Sequence, residues 1–320
     1  MESNLSIYTT LLTLESLEIP SSNIIPAFIF GTLTYCLILF FNMTVLLTIV
    51  FNKKLHKPMY ILLLNMPVND IMGATVFFPQ QMFSILTQNR SITYSACFAE
   101  AFFTHLYGTA LTNILTAMAY DRYVAICCPL KYNTLMSSNN LLKIIILIWS
   151  LDVTMISIIF SLSFRRHICG TKIVDIFCNN PSLLKLICGD IRVNNYFGLL
   201  TTFLQQGFTV LTVLFTYVQI LITVVYKRQS EAKSKAIQTC GTHLVVFLCF
   251  EFNLLFALVA HRFESTSPSL RRALGASIMI FPPILNPLIY GLKTKEIRQN
   301  LIFFSKKKVS PKKQKKKSRN

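Results

Sequence analysis

Charged residues are scarce in this chain, and that scarcity excludes most soluble folds. Only 14% of its 320 residues are Asp, Glu, Lys or Arg, whereas 53% are hydrophobic. Soluble domains carry about 25% charged residues. The formal net charge of +18 could suggest nucleic acid, but nine of the 31 basic residues lie between Lys306 and Arg319. A basic tail of this kind is typical of segments near anionic lipid, so we expect no nucleic-acid partner.

Long stretches of the sequence contain no Asp, Glu, Lys or Arg. Five of them are residues 19–52, 71–89, 101–120, 193–226 and 273–292. Two further apolar stretches each hold one acidic residue, Asp152 and Glu251. A helix that spans a bilayer needs about 20 apolar residues. The pattern therefore predicts an all-α membrane protein, a bundle of seven transmembrane helices, over residues 24–51, 58–86, 95–128, 140–164, 194–227, 233–260 and 270–292.

Basic residues in the short loops predict the orientation. The loop segments 53–57 and 227–235 are rich in lysine and arginine, and a further loop holds Lys131. Basic residues in short loops mark the cytoplasmic side. Seven crossings then place the N-terminus outside, where Asn4 begins a glycosylation sequon. Residues 1–20 lack the basic start of a cleavable signal peptide, so we expect the first helix to direct insertion itself.

The chain accordingly divides into four parts. Residues 1–23 are expected to form an extracellular arm, and residues 24–292 the transmembrane domain. Residues 293–304 have an amphipathic pattern and are predicted to form a short helix in the membrane interface. Residues 305–320 are expected to be a disordered basic tail in the cytoplasm.

Four motifs give the sequence its character. Residues 118–130 read MAYDRYVAICCPL, residues 235–244 KAIQTCGTHL, residues 55–60 LHKPMY and residues 286–290 NPLIY. Together they resemble the olfactory receptors, a branch of the rhodopsin-like (class A) G-protein-coupled receptors, over about residues 24–304. Other rhodopsin-like receptors have a Trp and a Pro farther along the sixth helix, and both are missing here.

The resemblance implies roles for several polar residues. Four outer cysteines allow three pairings, and the resemblance implies Cys97–Cys178 and Cys169–Cys188. It also implies an activation switch formed by Asp121, Arg122, Tyr123, Tyr217, His243, Asn286, Pro287 and Tyr290. Asn42, Asp70 and Asn286 would form a polar cluster, which either joins helices by hydrogen bonds or binds a sodium ion at Asp70. We expect no other metal and no other cofactor.

A ligand site is implied in the outer half of the bundle. By position it comprises Thr104, His105, Gly108, Thr109, Phe203, Gln206, Gly207, Glu251, Asn253, Leu254, Leu258, Ala276 and Met279. Glu251 stands where olfactory receptors usually carry Tyr. It is either a buried acid that stays protonated or pairs with His105, or a counter-charge for a cationic or hydrogen-bond-donating ligand.

The expected function is that of an odorant receptor in the plasma membrane of a sensory neuron. It would bind a small external molecule and activate a stimulatory heterotrimeric G protein of the olfactory type, which raises cyclic AMP. A non-olfactory small-molecule receptor of the same superfamily is the alternative. A transporter or channel is disfavoured because the chain lacks an internal repeat, and an enzyme because no nucleophile–base pair or metal triad is visible.

Overall fold

The computed structural model describes residues 10–15, 19–164, 166–226, 230–262, 266–293 and 298, with the backbone alone at 164, 230–240, 242, 243, 261, 262, 292 and 293. Within these ranges the chain forms seven long helices. They are α1 (Ile24–Phe51), α2 (Pro58–Thr87), α3 (Tyr94–Cys127), α4 (Ser138–Phe164), α5 (Arg192–Tyr226), α6 (Ser230–Arg262) and α7 (Pro268–Lys293). Each predicted boundary falls within three residues of the observed one, and the predicted seven-helix membrane fold is confirmed.

Local chemistry explains several helix ends. Pro58 occupies the first turn of α2, where its missing N–H costs nothing. Gln88 ends the same helix in the left-handed region, with φ of 55°, a conformation that satisfies the last carbonyls of a helix. Thr93 caps α3 because its side chain accepts a hydrogen bond from the N–H of Ala96 at 3.4 Å.

Five of the helices are long and apolar enough to cross a membrane by composition alone: α1, α2, α4, α5 and α7. The helix α6 contains a shorter apolar segment, Leu244–Ala260. The helix α3 is more polar because it lies inside the bundle, packed against α2, α4, α5 and α6. Protein surrounds much of α3, so acids such as Glu100 and Asp121 are buried there without facing lipid.

The outward faces of the other helices are strongly apolar. Phe30, Phe40 and Phe208 are each more than half exposed. Exposed aromatic side chains of this number are unfavourable in water but suit a hydrocarbon solvent. The bundle therefore has its apolar surface on the outside and its few polar groups inside.

A small cap covers the outer end and includes elements that the sequence did not predict. Strand β1 (Leu11–Thr13) pairs antiparallel with β2 (Ser91–Thr93). The loop between α4 and α5 adds a bridge from Thr13 to Lys172 and a short helix, Asn180–Leu184. Part of the predicted N-terminal arm is thus an ordered strand, in which Leu12 is fully buried. The predicted interfacial helix 293–304, the tail 305–320 and Asn4 lie outside the described residues, apart from Lys293 and Arg298.

Candidate ligand cavity and signalling switch

A cavity of about 140 Å³ lies in the outer half of the bundle, between α3, α5, α6 and α7 and beneath the outer loop. A cavity of roughly 150 Å³ with apolar walls is large enough for benzene. Its walls are formed by Thr104, His105, Gly108, Thr109, Phe177, Asn179, Pro181, Thr202, Gln205, Gln206, Leu254, Ala257, Leu258, Gly275, Ile278 and Met279. The space suits a small molecule, mostly apolar, with a few polar contacts.

Eight of the thirteen residues predicted for the ligand site line this cavity. They are Thr104, His105, Gly108, Thr109, Gln206, Leu254, Leu258 and Met279. The imidazole of His105 is oriented by a 3.1 Å contact from Nδ1 to the carbonyl of Ala101, and its ring meets Phe160 edge to face. The outer half of α3 therefore presents a polar stripe to the cavity.

The other five predicted residues are not brought to the cavity wall. Phe203 is 76% exposed on the outer surface of α5, whose wall residues are instead Thr202, Gln205 and Gln206. Asn253 accepts a 2.8 Å hydrogen bond from Ser277 Oγ, and so joins α6 to α7. Ala276 packs against the main core. Gly207 also lies off the wall.

Glu251 is buried among the core residues of α6, below the cavity. It lies one turn along the helix from Leu254 and is not part of the wall. Its Oε1 atom has no hydrogen-bond partner. The arrangement fits the interpretation of a buried, protonated acid better than that of a counter-charge in direct reach of a ligand.

Sequence reasoning missed the roof of the cavity. Phe177 and Asn179 lie on either side of Cys178, which forms a disulfide with Cys97 at the top of α3, with the Cα atoms 5.3 Å apart. A second disulfide joins Cys169 to Cys188, with a Cα separation of 5.4 Å. Both bridges are the pairings that the resemblance implied. The neighbours of Cys178 were the available signal, because this bridge holds them over the bundle.

At the C-terminal end of α3, Asp121 is buried and paired with its neighbour Arg122. Arg122 Nε lies 3.8 Å from Asp121 Oδ2. Tyr132, in a short helix of the loop between α3 and α4, donates a 2.9 Å hydrogen bond from its hydroxyl to Asp121 Oδ1. Burial and the nearby Asp121 carboxylate raise the pKa of Tyr132 above its usual value, so the phenol stays a donor. The sequence analysis did not include Tyr132.

The prolines of α7 explain two contacts deeper in the bundle. A proline has no N–H and leaves the carbonyl four residues earlier without its helical partner. Pro287 leaves the carbonyl of Pro283 free, and Asn42 Nδ2 donates to it at 2.8 Å. Pro282 similarly leaves the carbonyl of Ile278 free, and the hydroxyl of Tyr107 donates to it at 3.3 Å. Side chains of α1 and α3 thus satisfy the kinked helix, as membrane helices require.

Asp70 and Asn286 meet at the centre of this region, and both are buried. The amide Nδ2 of Asn286 donates to the two carboxylate oxygens of Asp70, at 3.4 and 3.1 Å. Hard cations bind through several oxygen ligands, whereas Asp70 here receives an amide N–H. With an amide N–H facing both oxygens of Asp70, these residues do not fit a sodium ion in this arrangement. Sodium binding therefore stays a prediction from the family resemblance.

The remaining predicted switch residues lie on or near the inner half of the bundle. Tyr123 and Tyr217 pack around Ile220 and Val224 of α5, and Tyr290 is buried in the main core. The side chain of His243 lies outside the described residues. The cavity and the Asp121–Arg122 pair are therefore at opposite ends of one helix, α3.

A family model for olfactory receptors matches residues 31–308. The chain belongs to the olfactory receptor family. Its human relatives include olfactory receptor 52A5, which is 37% identical over 276 residues, or 83% of this chain and 86% of the relative. Olfactory receptor 52K2 is 33% identical over 84% of this chain and 87% of its own length. Olfactory receptor 52J3 is 34% identical over 85% and 88%, respectively.

Membership of the olfactory receptor family agrees with the architecture. Members are G-protein-coupled receptors built on seven transmembrane helices and are not enzymes. The apolar outer faces of α1, α4 and α5 make this chain a multi-pass membrane protein.

Proposed function

We propose that this chain is an odorant receptor that binds a small external molecule in the cavity beneath the outer loop. Binding activates a stimulatory olfactory-type heterotrimeric G protein, and cyclic AMP rises. The observation that carries the proposal is the placement of two sites on one helix. Thr104 lines the cavity, and Arg122 follows it by 18 residues, a distance of about 27 Å along a helix.

A shift between two states connects the sites. The ligand favours an active state only to the extent that it binds that state more tightly than the resting one. In the resting state, Asp121 holds Arg122 and Tyr132 at the cytoplasmic end. In the active state, the inner end of α6 moves outward, Arg122 leaves Asp121, and a cleft opens for the G protein.

The membrane setting completes the proposal. Lysines 53, 54 and 131 lie in loops at the end where Arg122 lies, which favours a cytoplasmic position for that end. The cavity and the disulfide-bonded cap then face outward, where oxidising conditions support both bridges. Membrane lipid is a partner along the apolar faces, and the sensory-neuron surface is the proposed location. No nucleic-acid partner is proposed.

The test is a cyclic-AMP screen in cells that express the chain, with small amines, aldehydes, amino acids and steroids as candidate agonists. Arg122→Ala should abolish the cyclic-AMP response to any agonist found, because the proposed active state needs the guanidinium group that leaves Asp121 to complete the G-protein cleft, while surface expression persists. Arg192→Ala is the matched control, since Arg192 is exposed at the outer end and pairs with Asp190 at 3.1 Å. Normal signalling by Arg122→Ala would contradict the proposal.

A further inference from the structure

A partly buried ion pair joins the N-terminal segment to α7. Arg271, near the start of α7, is only 8% exposed. Its Nη2 atom lies 3.5 Å from Glu15 Oε2. Because Arg271 is buried beside an acidic partner, this arginine is neither free in water nor unpaired.

Glu15 belongs to a segment that is built into the cap. The backbone N–H of Thr13 donates to the carbonyl of Thr171 at 2.8 Å, and the N–H of Ile173 donates to the carbonyl of Thr13 at 2.9 Å. Leu12 and Leu14 are buried in the outer hydrophobic cluster with Cys97 and Cys178. Residues 10–15 are therefore joined to the outer loop by hydrogen bonds and packing, so a displacement of Glu15 also displaces the loop.

Glu15 also reaches the roof of the cavity through one intermediate residue. Its backbone N–H donates to the carbonyl of Asp175 at 2.9 Å. The Asp175 carboxylate accepts a 2.8 Å hydrogen bond from Nδ2 of Asn179, and Asn179 lines the cavity. A continuous chain of contacts thus runs from the roof to Arg271.

On the other side, Arg271 lies directly above the α7 wall. Gly275 and Ile278 follow it by four and seven residues, and both line the cavity. Residues at these spacings share one helix face. The contacts therefore span the cavity from its roof to one wall, and the Glu15–Arg271 pair connects the cap to α7.

We propose that the Glu15–Arg271 ion pair is a latch that holds the cap against α7 and controls the entry of molecules into the cavity. With the latch closed, the roof residues stay over the cavity. Opening it frees α7 from the N-terminal segment, while the Cys97–Cys178 disulfide keeps the cap on α3. That the entering molecule is an odorant rests on the proposed function; the latch itself does not.

Entry can be measured without an agonist. Met279 lines the cavity, so Met279→Cys places a thiol there for a small uncharged methanethiosulfonate reagent applied to intact cells. Modification above the background of the parent chain reports access. The pair is partly exposed, and an ion pair of this kind contributes up to about 1 kcal/mol, which corresponds to a factor of roughly 5 in a rate. Arg271→Gln and Glu15→Gln should each raise the modification rate by about that factor.

Two further variants separate the latch from general damage. The exchange of both charges, Glu15→Arg with Arg271→Glu, should bring the rate back toward that of the parent. Arg192→Gln removes the exposed outer pair with Asp190 and should leave the rate unchanged. Rates in the latch variants no higher than in Arg192→Gln, or no recovery on charge exchange, would overturn the latch.

If Arg271→Gln is not expressed at the cell surface, the modification rate of Glu15→Gln tests the latch instead. Glu15 lies in the N-terminal segment and not in a helix of the bundle. Since the assay needs neither agonist nor G protein, failure of the latch is distinguishable from failure of the odorant-receptor proposal. If the modification rates follow the latch prediction but no compound raises cyclic AMP, only the odorant-receptor proposal is contradicted.

Discussion

The two ends of α3 are held by contacts of very different strength. At the end of α3 that carries the cavity, a disulfide from Cys97 fixes the cap, and the β1–β2 pair extends it. At the other end, Asp121 is held by Arg122 at 3.8 Å and by one hydrogen bond from Tyr132. The covalent bond at the first end resists a change of shape, whereas the contacts at the second end can separate without breaking a covalent bond.

Removal of the outer disulfide should have the largest effect. Cys178→Ser opens the bridge that spans 81 residues and releases Phe177 and Asn179 from the top of α3. Loss of a native disulfide typically costs about 2–5 kcal/mol. We expect much lower surface expression and a lower melting temperature of the purified protein. Cys36→Ser, at an exposed free cysteine, should change neither surface expression nor melting temperature. If the two variants behave alike, the disulfide does not stabilise this end of α3 more than the contacts at the other end.

A change in α2, opposite the middle of α3, should have an intermediate effect. The Tyr107 ring lies against Gly73, and a Cβ at that position would come within 2.6 Å of Tyr107 Cδ2. Overpacking of this kind costs about 1–3 kcal/mol. Gly73→Ala should lower the melting temperature, since the ring must leave the carbonyl of Ile278. Gly207→Ala meets no atom within 4 Å and controls for helix propensity. A Gly73→Ala protein as stable as Gly207→Ala would show that the ring moves freely.

The smallest expected effect on stability lies at the cytoplasmic end. Tyr132→Phe removes one hydrogen bond to Asp121, about 1 kcal/mol. Because that bond favours the resting state, basal cyclic AMP should rise while the melting temperature changes little. Tyr196→Phe, at an exposed tyrosine of α5, is the matched control. If basal cyclic AMP is equal in Tyr132→Phe and Tyr196→Phe, the hydrogen bond from Tyr132 does not stabilise the resting state.

Sequence alone predicted the seven helices because a bilayer leaves long charge-free stretches that pattern reading detects directly. The family resemblance also predicted eight of the residues that line the cavity, four of them on α3 and the others on α5, α6 and α7. It could not give the rotation of α5, where Phe203 and Thr202 are neighbours in sequence but face lipid and cavity. Nor could it give Phe177 or Asn179, because a loop's path depends on distant contacts such as that between Asp175 and Glu15.

The central claim is that a cavity in the outer half controls a separate switch at the inner end. It is tested most directly by cyclic AMP in a double variant, Gly108→Leu with Tyr132→Phe. Gly108 lines the cavity and has no atom within 4 Å of an added Cβ, so leucine fills the ligand space. The account predicts raised basal cyclic AMP and no response to any agonist of the parent chain. An unchanged agonist response, or basal cyclic AMP no higher than in the parent, would contradict it.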